Sequence, residues 1–79
     1  MGEDFTSRVA AEVRAEMGRQ RVSQEALCTK IKMTQSTLSR RLLGEYPFNT
    51  RELEKIARAL RVPVSRLITP AFGREVVAA

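Results

Sequence analysis

The sequence contains no histidine, one aspartate and one cysteine among its 79 residues. Without histidine, neither a Ser–His–Asp triad nor a Cys–His pair can be assembled, and the common nitrogen ligands of a metal site are missing. We therefore expect no enzymatic activity, no metal and no cofactor. The single Cys28 cannot form an internal disulfide and fits a reducing cytosol, so we expect a cytoplasmic protein.

Long apolar runs are also missing, since the longest uninterrupted ones span only a few residues. The sequence therefore predicts neither a secretory nor a membrane-spanning segment, and we expect no membrane partner. A chain this short buries only roughly 60 to 65 % of the surface that its unfolded form exposes, so its core is thin. We expect one domain over residues 1–69 and a flexible C-terminal tail over residues 70–79.

Positive charge is concentrated in one stretch of the chain. Between positions 19 and 41, six basic residues accompany one acidic residue, Glu25, which gives +5, and the whole chain also carries a formal net charge of +5. All of the excess charge therefore lies in this window. A local positive field attracts a polyanion such as nucleic acid, although an ordinary basic surface would show the same total.

Apolar residues recur at helical spacing along most of the chain and predict an all-α fold. In the first predicted helix, at about 5–20, Val9, Val13 and Met17 are four residues apart. Two short helices at 24–31 and 35–43 are joined by a three-residue turn, which is the helix-turn-helix arrangement. A fourth helix should end near residue 61, and a short fifth helix should have Pro63 in its first turn and stop at Thr69–Pro70.

Residues with short, oxygen-bearing side chains mark the predicted helix starts, because such side chains accept a backbone N–H that has no partner inside the helix. Gly44 is expected to end the third helix, since glycine readily adopts a left-handed backbone. The predicted fold is a compact bundle of four to five short helices. The predicted caps are Thr6 or Ser7, Ser23, Thr34 and Thr50.

The helix predicted at 35–43 has two contrasting faces. At about 100° per residue, Leu38 and Leu42 fall on one side and are expected in the core, whereas Leu43 points outward. In the major groove of DNA, Gln pairs with adenine, Arg with guanine, and Ser or Thr with either edge. The outward residues are therefore predicted to read bases, the alternative being an ordinary solvated face. The predicted base-reading residues are Gln35, Ser36, Thr37, Ser39 and Arg40.

These features resemble the phage repressor and Cro-like helix-turn-helix family, also called lambda repressor-like. The resemblance covers roughly residues 22–67, and its most specific marks are Gln24, Gln35, Ser36, Gly44 and Asn49. It implies that Gln24 contacts a phosphate and braces Gln35, that Gln35, Ser36 and Arg40 read bases, and that Asn49 binds the DNA backbone. It also implies a regulator that binds a double-stranded DNA operator on the nucleoid, most specifically a phage-type immunity repressor or a Cro-like protein.

Three positions depart from the pattern of that family. Cys28 stands where alanine is usual at the helix–helix contact, and it is expected to pack as a small hydrophobe. Lys32 stands where glycine usually occupies the turn, so a left-handed backbone there would cost about 1 kcal/mol. Arg41 replaces a usually apolar residue, and we expect its stem to cover the edge of the core while its head reaches Glu45 or a phosphate.

Phosphate contacts are expected on both sides of the recognition helix. Thr50 and Arg51 lie at the positive end of the predicted fourth helix, which favours anions. Tyr46, Lys30 and Lys32 are weaker candidates. Such contacts position a protein on DNA without reading its sequence.

The alternative function is that of an antitoxin, which would bind DNA and pair with a toxin through the tail.

We expect a monomer, or a weak homodimer that pairs only on DNA. A stable interface needs roughly 800 Å² per partner, and the last segment offers little besides Leu67, Ile68 and Phe72. The apolar end Ala78–Ala79 resembles the C-terminal tags that bacterial proteases recognise, the alternative being an unremarkable tail.

Overall fold

Short helices separated by tight turns make up the structure. The computed structural model describes residues 4–72, in which there are five α-helices and no strand. The predicted tag Ala78–Ala79 lies outside the described residues. The helices are α1 (Phe5–Gln20), α2 (Gln24–Ile31), α3 (Gln35–Leu42), α4 (Thr50–Leu60) and α5 (Val64–Phe72).

All five helices contribute to one apolar core. Helix α1 packs against α3, α4 and α5, while α2 packs against α3 and α4. A fully buried Leu, Ile or Val side chain contributes about 1.5 to 3 kcal/mol through the hydrophobic effect. The core residues are Val9, Val13, Met17, Leu27, Cys28, Ile31, Leu38, Leu42, Leu53, Ile56, Ala57, Leu60 and Leu67.

The core includes Leu67, one of the three apolar residues that the last segment offers for contact with a second copy. Leu67 is completely buried within its own chain (0 % exposed). It packs inward because α5 lies against α1 and α4. Leu67 is therefore not available to a second copy of the chain.

Helix α1 begins with a cap that differs from the prediction. The carboxylate of Asp4, rather than the hydroxyl of Thr6 or Ser7, accepts the backbone N–H of Ser7 at 2.9 Å. Hydrogen bonds from Ser7 lower the pKa of Asp4, because they favour its ionised form. A carboxylate at this position also suits the positive end of the helix dipole.

Helix α5 runs two residues further than predicted. Pro70 lies inside the helix, which continues to Phe72. Proline has a fixed φ that the helix accepts, and what it removes is the N–H that would bond to the carbonyl four residues earlier. Pro63 precedes the first residue of α5, and its carbonyl accepts the N–H of Arg66 at 3.0 Å.

A buried carboxylate connects α1 to the end of α4. Glu16 is only 4 % exposed and accepts hydrogen bonds from Gln20 at 2.8 Å and from two nitrogens of Arg19 at 3.1 and 2.8 Å. The same amide nitrogen of Gln20 donates to the carbonyl of Leu60 at 2.7 Å. The bonds from Gln20 and Arg19 lower the pKa of Glu16. This network links the last turn of α1 to the last residue of α4.

Candidate nucleic-acid interface

The turn between α2 and α3 is built as the sequence predicts. Ser23 caps α2 by accepting the N–H of Ala26 at 3.0 Å, and Thr34 caps α3 by accepting the N–H of Thr37 at 3.2 Å. Between them, Lys32 has a left-handed backbone with φ 58° and ψ 50°. The strain predicted for this lysine is therefore present.

Helix α3 presents the predicted polar face to solvent. Gln35, Ser36 and Arg40 are exposed, while Thr37 and Ser39 are half-buried on its flanks. Leu43, the residue after the helix, is 66 % exposed. The helix thus ends at Leu42, one residue before the predicted end, because Leu43 forms its C-cap. These positions agree with the predicted reading face, while the contact of each residue with a base stays a prediction.

The C-terminal end of α3 is fixed by its neighbours. Gly44 has φ 85°, and the N–H groups of Gly44 and Glu45 bond back to the carbonyls of Arg41 and Arg40 at 3.1 and 3.0 Å. This pair of hydrogen bonds is the Schellman motif, which satisfies carbonyl groups that have no partner inside the helix. Arg14 of α1 also donates to the carbonyl of Leu42. Sequence reasoning missed Arg14, because nothing in local spacing relates it to a residue 28 positions away.

Close packing explains why residue 44 is glycine. A β-carbon built there would lie 3.2 Å from the hydroxyl oxygen of Ser7, and the positive φ is itself unfavourable for other residues. The start of α1 therefore lies directly against the end of α3. This contact fixes where the recognition helix stops and where the following loop begins.

The start of α4 is organised by a capping box. Asn49, not Thr50, is the N-cap: its side-chain oxygen accepts the N–H of Glu52 at 2.7 Å, and the carboxylate of Glu52 accepts the N–H of Asn49 at 3.0 Å. The prediction of Thr50 was wrong because Asn49 has the reciprocal partner three residues later. Thr50 and Arg51 are exposed in the first turn of the helix.

Glu52 also binds Arg41, which corrects a second expectation. The Nε of Arg41 lies 2.8 Å from Oε1 of Glu52, and the two side chains are 23 % and 15 % exposed. The expected partner, Glu45, follows the left-handed turn at Gly44 and so no longer lies one helical turn from Arg41. The Asn49-x-x-Glu52 spacing was the available signal for the role of Glu52.

The remaining predicted phosphate contacts surround α3. Gln24 is exposed in the first turn of α2, and Tyr46 is 50 % exposed in the loop after α3. Within residues 4–72, no hydrogen bond joins Gln24 to Gln35, so the predicted bracing between them is not formed in the free chain. Both amides are therefore available to a ligand. Their contacts with DNA stay a prediction.

Cys28 is a free cysteine that lies in the core. Burial raises the pKa of the Cys28 thiol, with a smaller contribution from the charge of Glu25. Cys28 is therefore a protonated core residue, as expected, and not an activated nucleophile. Between residues 4 and 72 no three His, Cys, Asp or Glu side chains are placed to hold a metal ion. None of the described helices has the length and apolar character needed to cross a membrane.

Comparisons with known proteins point to one family. A family model described as helix-turn-helix matches residues 13–67, which includes α2, the turn, α3 and α4. No curated protein and no solved structure matches the chain. The matched segment is more than half of the 79 residues, and it contains every residue of the candidate interface.

Proposed function

Because this chain belongs to the Cro/C1-type helix-turn-helix family of DNA-binding transcription regulators, we propose that it reads a specific operator with α3. More specifically, we propose that the protein is a phage-type immunity repressor or a Cro-like protein. The observation that carries it is the outer face of α3, where exposed amide, hydroxyl and guanidinium groups lie on a helix fixed at both ends.

In this proposal, the residues in the first two turns of α3 contact the bases. Gln35 suits adenine and Arg40 suits guanine, because each side chain forms a bidentate pair with that base. Ser36, Thr37 and Ser39 supply shorter contacts to base edges. Leu43 lies at the far end of the same face, where it touches a thymine methyl or the sugar-phosphate.

Phosphate contacts on both sides of α3 orient it in the groove. Gln24 approaches from the start of α2, while Thr50 and Arg51 approach from the start of α4, where unpaired N–H groups and the helix dipole favour an anion. Tyr46 and the amide nitrogen of Asn49 contact the backbone from the intervening loop. The acceptor atom of Asn49 is already used by its capping box, so the residue acts on DNA as a donor.

Selection of binding sites from random duplexes, followed by a double substitution, tests this proposal. Gln35→Ala with Arg40→Ala should lose two bidentate contacts, worth about 1 to 3 kcal/mol each, and should bind the selected and shuffled sites almost equally. The matched control is Ser65→Ala with Arg66→Ala, which removes one polar and one guanidinium group from exposed positions of α5. Retained preference for the selected site in the first variant would contradict the assignment of the base-reading residues.

A further inference from the structure

A cleft between the end of α2 and the outer side of α4 carries a concentration of positive charge. It has a volume of about 400 Å³, and none of its lining residues belongs to α3. We call it the basic cleft. Its lining residues are Lys30, Ile31, Lys32, Lys55, Arg58 and Ala59.

Within residues 4–72, no anion compensates the four cations of the basic cleft. No acidic residue lines the cleft, and among residues 4–72 none of the four takes part in an ion pair. Glu25 and Glu54 are exposed on the same two helices but lie outside it. Like charges held near one another repel, and an anion bound between them removes this repulsion.

The basic cleft continues a line of charge that starts at the proposed DNA contact. Arg51, Lys55 and Arg58 are spaced i, i+4 and i+7, so they lie on one face of α4. Seven residues of helix span roughly 10 Å, which is about the axial length of three nucleotides of one DNA strand. The line therefore leads from the first turn of α4 into the cleft over a distance that a nucleic-acid backbone can follow.

Exposure of the four cations indicates what kind of anion they suit. All four are exposed, and they project from two helices and a turn. Among the described residues that line the cleft, no polar side chain is buried, whereas a specific small-molecule site needs accurately placed polar groups. Flexible, exposed lysine and arginine side chains are instead suited to phosphates of a backbone, which is contacted without regard to sequence.

We propose that the basic cleft binds the phosphodiester backbone of DNA outside the segment read by α3. This inference rests on the proposed function, since it extends the DNA contact beyond the operator core. The backbone has two sources, which are the flanks of the same duplex or a second duplex. In either case the cleft adds affinity that depends on salt and leaves sequence preference unchanged.

The salt dependence of binding measures the contribution of the basic cleft. Lys55→Gln with Arg58→Gln removes two cations from exposed positions without touching the core. Each lost phosphate contact lowers the slope of log affinity against log salt by about 0.9, so the double variant should lose about 1.8. The control is Arg61→Gln with Arg66→Gln, which removes the same charge from exposed positions outside the cleft and should leave the slope close to that of the unmodified protein.

Two duplexes distinguish the sources of the backbone. One ends at the last base pair of the selected site, and the other extends by roughly one helical turn, about 10 base pairs, on each side. A slope change seen only with the longer duplex assigns the cleft to flanking DNA. A change seen with both, together with loss of the ability to capture a labelled random duplex on immobilised operator, assigns it to a second duplex.

Failure of this inference is distinguishable from failure of the proposed function. If the cleft variant and the control variant show equal slopes and equal capture, the basic cleft has no role of its own and the inference is overturned. The proposed function is instead contradicted if Gln35→Ala with Arg40→Ala keeps its operator preference. Thermal melting of the cleft variant verifies that it is folded under the conditions of binding.

Discussion

The backbone at Lys32 is strained at the centre of the DNA-binding motif. Its φ of 58° lies in the left-handed region, where the β-carbon approaches the following carbonyl oxygen. The backbone N–H of the same residue nevertheless bonds to the carbonyl of Cys28, which ends α2 in the geometry that the turn requires. The turn thus requires a left-handed backbone at residue 32, and the side chain of Lys32 makes that conformation less favourable.

Replacing Lys32 by glycine should stabilise the free protein. Relief of the left-handed strain, offset by the greater freedom of glycine in the unfolded chain, leaves a net gain of about 0.5 to 1 kcal/mol. Urea titration of the DNA-free protein measures this change in the free energy of unfolding. Lys30→Gly is the matched control, because Lys30 has a helical backbone and its replacement should cost up to about 1 kcal/mol. A loss of stability in Lys32→Gly would show that the lysine side chain has a structural role.

At the scale of the elements, one carboxylate connects α3 to α4. Oε1 of Glu52 accepts both the Nε of Arg41 at 2.8 Å and the backbone N–H of Asn49 at 3.0 Å. The recognition helix and the loop that carries the predicted phosphate contacts therefore share one acceptor. Their relative position depends on it.

Truncation of Glu52 should loosen this connection. Glu52→Ala removes half of the capping box and leaves Arg41 without its partner, for a loss of about 1 to 2 kcal/mol in the free energy of unfolding. Glu52→Gln keeps an acceptor and should lose less. Glu54→Ala, at a neighbouring exposed position that forms no ion pair with any residue from 4 to 72, should stay within about 0.5 kcal/mol of the unmodified protein. Chemical denaturation of the three variants compares them, and equal stability of Glu52→Ala and Glu54→Ala would rule out this role.

Local sequence patterns predicted the helices better than their connections. The caps Ser23 and Thr34 and the buried pair Leu38 and Leu42 were confirmed, because each depends only on residues within one or two turns. The prediction of Thr50 as the cap of α4 was wrong, because the adjacent Asn49 is the cap and both residue types cap helices well. What decides between them is the partner three residues later, and only Asn49 has Glu52 in that position.

Contacts between different helices were harder to predict from the sequence than the helices themselves. The partner of Arg41 was expected four residues away, but the left-handed turn at Gly44 removes Glu45 from the helix and the fold brings Glu52 into its place. Arg14 reaches the end of α3 from another helix altogether. The candidate site was predictable as a face of one helix, whereas the residues that hold that face in position were not.

For the whole molecule, the described surface offers little for a stable dimer. Among residues 4–70, the large apolar side chains that are exposed are Phe5, Leu43 and Tyr46, and Leu67 is buried in the core. Two of the three exposed residues lie next to the candidate interface with DNA. A standard interface buries roughly 800 Å² on each partner, which these side chains do not supply.

We therefore predict that the DNA-free protein sediments as a monomer of 8.9 kDa at micromolar concentration. The operator provides the comparison, because two copies that meet only on DNA should appear together on a palindromic duplex and singly on one half-site. A dimer of the free protein that persists at micromolar concentration would refute this prediction.

All three left-handed residues other than glycine in residues 4–72 are cations, namely Arg21, Lys32 and Arg61. Glycine at all three would relieve strain of about 1 kcal/mol or more at each, yet it would also reduce the formal net charge from +5 to +2, since three positive charges are lost. Attraction for a polyanion falls with that charge. Stability of the free protein and long-range attraction of a polyanion by net charge therefore make opposite demands on the same three positions.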